Sequence, residues 1–175
     1  MSGLVAELGP KARAASVVDA AKAGDIVVVS VPLKNYKAVP IEPLAGKIVI
    51  DTNNYYPQRD GQIEDLDNGS LTCSGLLQRQ LPDSAIVKVF NNIFYKHLLN
   101  LARPAGAADR SYLPIAGDSA AAKAAVTAFL DSIGYGTVDA GALAAELFNL
   151  ATASSVLVHS LESCLVAKGN STSWK

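Results

Sequence analysis

Three short runs in this chain are apolar without interruption and rich in β-branched residues: Ile26 to Val31 (IVVVSV), Lys47 to Asp51 (KIVID) and Ile86 to Phe90 (IVKVF). A strand with one wet face alternates polar and apolar residues. A continuous run is the pattern of a strand buried on both faces, as in a parallel sheet covered by helices on each side. Each run is introduced by a turn signal (Gly24-Asp25, Ala45-Gly46, Pro82-Asp83), and each ends on polar residues or proline: Pro32 onward, Thr52-Asn53-Asn54 and Asn91-Asn92. Helical patterns lie between them, Ser16 to Ala23 with Ser16 as N-cap, and Ser70 to Gln80 with Leu71, Leu76 and Leu77 on one face. The alternation predicts βαβ units, hence an α/β fold with a mainly parallel, doubly wound sheet.

The later chain is less regular. Tyr112 to Ala116 predicts a strand confined to an edge or a bulge, because Pro114 lacks a ladder donor. Asp118 is expected to cap a helix over Ser119 to Ile133, stopped by Gly134, with a short closing strand over Thr137 to Asp139. Gly141 to Ala167 is apolar with helical spacing, and Gly169 to Lys175 reads as a frayed polar tail. The expected organisation is one α/β domain over residues 1-140, followed by a C-terminal helix and tail over 141-175.

Composition narrows the function classes. With 175 residues the chain can bury roughly 70% of its unfolded surface. Fifteen basic side chains against 16 acidic ones give a net charge of −1, which does not provide the basic footprint of a nucleic-acid or anionic-membrane binder. No apolar stretch reaches the ~20 residues of a bilayer span, and the first ten residues carry no signal-peptide pattern. The expectation is a cytoplasmic protein with free thiols at Cys73 and Cys164, which lack the spacing of a zinc or redox pair. An aromatic content of 6% disfavours barrels and sandwiches.

In an open parallel sheet, ligands bind beyond the carboxyl ends of the strands. That rule selects Ser30-Val31-Pro32-Leu33, Asp51-Thr52-Asn53-Asn54 and Phe90-Asn91-Asn92. Thr and Asn supply compact donors and acceptors for ribose, amide or phosphate groups, although the same residues also serve turns. Other groups offer less. Lys88 inside an apolar run reads as a snorkelling edge residue rather than a catalytic amine. Tyr55 and Tyr56 either wall a ligand or close a loop. His97 and His159 have no carboxylate or cysteine at ligand spacing, so no metal site is expected. Ser160, Ser163 and Cys164 share one predicted helix with His159, which is poor geometry for a nucleophile and its base.

SVPL after a DIVVV strand, KIVIDTNN after a short crossover and IVKVFNN further on resemble, in order and spacing, the NADP-binding oxidoreductase family that includes the deazaflavin-dependent NADP reductases. The resemblance runs from about Leu4 to Leu143. It implies that residues 1-140 are an incomplete Rossmann-like dinucleotide-binding domain, and it implies hydride transfer between NADPH and a deazaflavin coenzyme (F-420) or similar small acceptor. It also implies cofactor contacts at Ser30, Val31, Pro32, Leu33, Thr52, Asn53, Asn54 and Asn91, and no acid-base catalytic residue. The family's first strand-helix-strand unit, with its GxGxxG turn, has no counterpart here. Gly134-Tyr-Gly136 follows a helix and not a strand, so it fails that fingerprint's context. Two expectations follow: the bare edge of the Ile26–Val31 strand should promote a homo-oligomer, and an alternative role exists as a non-catalytic interaction domain unable to hold a dinucleotide. The family's aromatic and charged closing segment is also replaced, here by a Leu, Val and Ser helix over Phe148 to Ala167.

Overall fold

The computed structural model describes residues 2–144. The predicted helix and tail beyond residue 144, with His159, Ser160, Ser163 and Cys164, lie outside the described residues. The three apolar runs form one parallel sheet, β1 (Ile26–Val29), β2 (Ile48–Asp51) and β3 (Ala85–Lys88), in the order β1-β2-β3. Their register places Val28 beside Ile50 and Ile50 beside Val87, and it sets Val29 beside Asp51 and Asp51 beside Lys88. The fold is α/β and Rossmann-like, and among the described residues no strand precedes β1.

Both faces of the sheet are covered, as continuous apolar strands require. On one face, α2 (Val17–Ala23) and α5 (Cys73–Gln80) supply Ala21 and Leu77 to a core with Val29, Val49, Leu81 and Ile86. On the other, α6 (Ala120–Ser132) presents Ala122, Val126 and Leu130, one per helical turn, to Ile50, Val87, Leu113 and Ile115. Cover thins toward β1. Val28 lies on the α6 side with Ile50, yet it remains 48% exposed.

Helix ends follow local chemistry with two corrections. Ser16 caps α2 as expected, its Oγ accepting the Asp19 N–H at 3.1 Å. At the other end of α2, the Lys47 ammonium donates to three otherwise free carbonyls, those of Ala21, Lys22 and Gly24, at 2.7–2.8 Å. The helix expected from Ser70 starts at Cys73, with Thr72 as its cap; Ser70 instead bonds back to Asp65. Asp118 does not cap α6. Ser119 does, through the Ala122 N–H, because the Asp118 carboxylate is engaged by the backbone N–H of Leu143 at 3.0 Å. Two short helices, α3 (Pro57–Asp60) and α4 (Glu64–Asp67), fill the connection from β2 to α5.

The last two strands, β4 (Tyr112–Ile115) and β5 (Gly136–Asp139), pair in parallel and join the main sheet through a single antiparallel bridge, Lys88 to Ala116. The Ser111 and Ile115 carbonyls accept from β5, so the odd-numbered residues of this segment make the ladder. Pro114 therefore turns its nitrogen away from β5, where its missing donor costs no ladder bond.

Gly134 and Gly136 have separate structural duties. Gly134 ends α6 at φ +93°, and a Cβ there would lie 2.9 Å from the Ala102 Cβ and 3.0 Å from the Arg103 backbone nitrogen. A Cβ on Gly136 would sit 2.3 Å from the Tyr112 ring. Gly134→Ala combines a left-handed backbone with a contact against main chain. It should lower stability by about 1–3 kcal/mol, read as a reduced urea midpoint at unchanged m-value.

Candidate functional site

Parallel strands end together, so the three polar segments after β1, β2 and β3 meet at one edge of the sheet. After β1 the chain turns through exposed Ser30, Val31 and Pro32, then enters a 3-10 turn over Leu33–Ala38 whose first residue, Leu33, is fully buried. After β2, Thr52 donates both its N–H (3.2 Å) and its hydroxyl (3.3 Å) to the Val29 carbonyl. Asn53 crosses to the β1 loop, its Oδ1 accepting the Val31 N–H at 3.0 Å. After β3, the Asn91 carbonyl accepts from the Asn54 side chain at 2.9 Å. The expected residues Val31, Thr52, Asn53, Asn54 and Asn91 are thus joined into one bonded edge, while the Leu33 side chain is withdrawn into the interior.

Two amides in this edge have unmet capacity. Asn53 is 3% exposed and Asn91 8% exposed. The Asn53 Nδ2 and both polar atoms of the Asn91 side chain are buried without a hydrogen-bond partner. A native fold rarely leaves buried amides unpaired, because each costs about 1–3 kcal/mol when nothing replaces water. The Asn53 orientation is fixed by chemistry, since its oxygen must face the Val31 donor and its NH₂ must face the other way. Two donor groups and one acceptor at this edge are therefore left without a partner among the described residues.

Beneath the amides lies a buried charge pair. Asp51 is fully buried and accepts the Asn53 N–H at 2.8 Å, the Ser74 hydroxyl at 2.6 Å and the Lys88 ammonium at 3.3 Å. Lys88 is 2% exposed and also donates to the Asn53 carbonyl. The expectation of a snorkelling edge residue is corrected here. Lys88 points inward because the strand register sets it beside Asp51 on the neighbouring strand. Two residues further on, Phe90 adopts φ +64°, a left-handed conformation uncommon for a bulky side chain, as the chain turns from β3 toward Asn91. The only sequence signal for this arrangement was a lysine inside a β-branched run.

The two tyrosines differ. The Tyr55 hydroxyl donates to Asp67 (2.7 Å), lies 3.1 Å from the Gly61 carbonyl and accepts the Ile63 N–H (3.0 Å), so it closes the loop; desolvation and the Asp67 carboxylate raise its pKa. Tyr56 is half exposed beneath the Arg59 guanidinium, 4.9 Å from its ring centroid. His97 is exposed on a 3-10 turn, edge-on to Phe94, and among the described residues its ring is not paired with a carboxylate. Cys73 is a free thiol, and burial pushes its pKa up, which makes it a poor nucleophile. Among the described residues no group of His, Cys, Asp or Glu is arranged to hold a metal. No helix among them is long and apolar enough to cross a membrane.

Asp60 ties the loop after β2 to that after β1. Its carboxylate takes two bonds from Arg59 at 2.8–2.9 Å, the Tyr56 N–H at 3.0 Å and the Lys34 N–H at 3.5 Å. The Arg59 bond holds the Asp60 pKa below the usual carboxylate value. A carboxylate with a depressed folded pKa contributes stability at neutral pH that is lost as pH falls from the unfolded value of about 3.9 through the folded one. Asp60→Asn should therefore lower the melting temperature at pH 7 and narrow the difference between pH 7 and about pH 3, followed by circular dichroism.

Comparison with known proteins supports the family suggested by the strand ends. Residues 1–55 match the model of a family described as NADP oxidoreductase, coenzyme F420-dependent. Among solved structures, a provisionally assigned F420-dependent NADP reductase from Arthrobacter sp. FB24 aligns with a TM-score of 0.66 at 25% identity, over 81% of this chain and 66% of its own. A hypothetical protein, SMa0349 from Sinorhizobium meliloti, aligns with a TM-score of 0.73 at 22% identity, over 91% of this chain and 78% of its own. No curated protein matches the chain. The chain spans just under two thirds of the Arthrobacter protein, and in order, spacing and fold it resembles the NADP oxidoreductases that depend on coenzyme F420.

Proposed function

We propose that the chain is the part of an NADP(H)-dependent oxidoreductase that holds the nicotinamide end of the cofactor, for hydride exchange with a deazaflavin or a similar small acceptor. The observation that carries this reading is the set of unpaired buried amides at the strand ends, Asn53 Nδ2 with both polar atoms of Asn91. A primary carboxamide offers an acceptor oxygen and a donor NH₂, which complements two donors and one acceptor. The nicotinamide ring carries such a group, and the cofactor supplies the hydride when bound.

The chain's own residues orient and exclude water. Asn53 and Asn91 hold the carboxamide, and Thr52 and the Val31 main chain keep the two loops together. Ser30, Val31 and Pro32 flank the edge, with Asn54 securing Asn91, so no acid or base is needed for the transfer itself. A glycine turn at a helix N-terminus, the usual pyrophosphate cradle, is not among the described residues, so this proposal covers the nicotinamide end alone. Self-association belongs to the same proposal. β1 ends the sheet, and Val28 and Val31 are exposed beside it, which suits pairing with a second chain.

Titration with NADPH tests the reading. At 100 times the dissociation constant, binding to the folded state stabilises by about 2.7 kcal/mol, a readily measured rise in melting temperature. Asn53→Leu and Ser30→Trp should each weaken that rise. A flat melt at millimolar NADPH would favour the non-catalytic interaction domain instead, and equal binding by both variants would move the site elsewhere. Light scattering is expected to show a dimer or larger species; a monomer at all concentrations would reject association through β1.

A further inference from the structure

We propose that Lys88 is a positioning residue that sets the Asn53 carboxamide, an inference that deepens the proposed nicotinamide site and rests on that reading for its ligand. The backbone of Asn53 is held on both sides of its Cα, through the two peptide groups that flank it. Its N–H donates to Asp51 Oδ1 at 2.8 Å, and its carbonyl accepts from the Lys88 ammonium, which in turn contacts Asp51 Oδ2 at 3.3 Å. Asp51 and Lys88 are adjacent in the β2–β3 register, so the grip is anchored to two strands and cannot drift with the loop. Ser74, from α5, bonds Asp51 Oδ2 at 2.6 Å and fixes the carboxylate from the helix layer.

A single backbone unit held this way leaves the Asn53 side chain little freedom. Its Oδ1 is committed to the Val31 N–H and its Nδ2 is buried without a partner. Neutralising the buried Asp51 carboxylate takes only the ion pair. The ammonium makes a further bond whose acceptor is the Asn53 carbonyl, and that bond is the one a purely structural pair would not require. Removing that bond frees the carbonyl side of the peptide, and the carboxamide then swings away from Val31.

The Val31 amide reports this directly in ligand-free protein, because its N–H is held by Asn53 Oδ1. Hydrogen exchange at Val31 is compared with that at Val49 and Val87 in the sheet, in Lys88→Met and in the double variant Asp51→Asn/Lys88→Met. The double variant removes both charges, so that no buried carboxylate is left unpaired if the single variant fails to fold. General destabilisation accelerates Val49 and Val87, which exchange through global unfolding, and accelerates Val31, on the loop after β1, by at most the same factor. The proposal expects Val31 to accelerate by about tenfold beyond that factor, the scale of one lost hydrogen bond. Equal acceleration at the three amides would overturn it. An NADPH titration of the same proteins adds a second arm, with an expected increase in Kd of about tenfold in the double variant. Undiminished NADPH affinity in that variant would also overturn the positioning role. Absence of NADPH binding by the parent protein would instead reject the nicotinamide site, while the exchange comparison still decides whether Lys88 sets Asn53.

Discussion

The Asp51–Lys88 pair is the interaction on which the site depends. Two charges with almost no solvent contact carry a desolvation cost of several kcal/mol each, and mutual attraction alone does not reliably offset it. Here the remaining capacity is used. Asp51 receives a backbone N–H and a hydroxyl as well as the ammonium, and Lys88 reaches a backbone carbonyl in addition to the carboxylate. A one-residue slip between β2 and β3 would send one of the two to the opposite face and leave a lone buried charge. The pair thus enforces the register that aligns the strand ends, and the strand ends carry the amides.

Much of this scaffold is legible in the sequence, for a physical reason. Continuous β-branched runs have few alternatives to a doubly covered strand, and β1, β2 and β3 lie within two residues of the runs that announce them. The polar strand ends were legible for the same reason, since short donors and acceptors just past a buried strand have no helix or sheet to join. Partner identity was not legible. Nothing local marks Lys88 as the partner of Asp51, 37 positions earlier. Nor does anything local separate Asp118 from Ser119 as the cap of α6. Both are good N-cap residues, and the choice falls to Ser119 because a distant Leu143 N–H occupies Asp118.

The uneven cover of the sheet explains which surfaces are open to partners. α6 packs over β3 and shields Ile50 and Val87, but its reach ends before β1, so Val28 keeps half its surface in water although it lies in line with two fully buried neighbours. The opposite face has no such gap at its carboxyl end, where Val29 packs with Val49, Leu77 and Ile86. Among the residues of the three-stranded sheet itself, the most exposed apolar side chain is thus Val28, on the α6 side of β1. The proposed partner surface is the lateral edge of β1, and the proposed cofactor site lies at the carboxyl ends of the three strands; the two meet where β1 runs out into Val31.

Polar groups left unpaired and backbone held under strain are costly, and they occur together here. Phe90 adopts a left-handed conformation at a cost of order 1–3 kcal/mol, and the residue that follows it is Asn91, whose side-chain amide has no partner. Stability alone would favour glycine or asparagine at position 90 and an apolar residue at position 91. Retaining a bulky left-handed residue before an unsatisfied buried amide makes physical sense if the turn aims that amide at an acceptor and donor that arrive with a ligand. Asn53 follows the same logic by a different means, with the Asp51–Lys88 grip in place of backbone strain. Two neighbouring strands thus hold two amides in fixed positions by independent devices, the kind of preorganisation that the proposed orientation-dependent hydride transfer would demand.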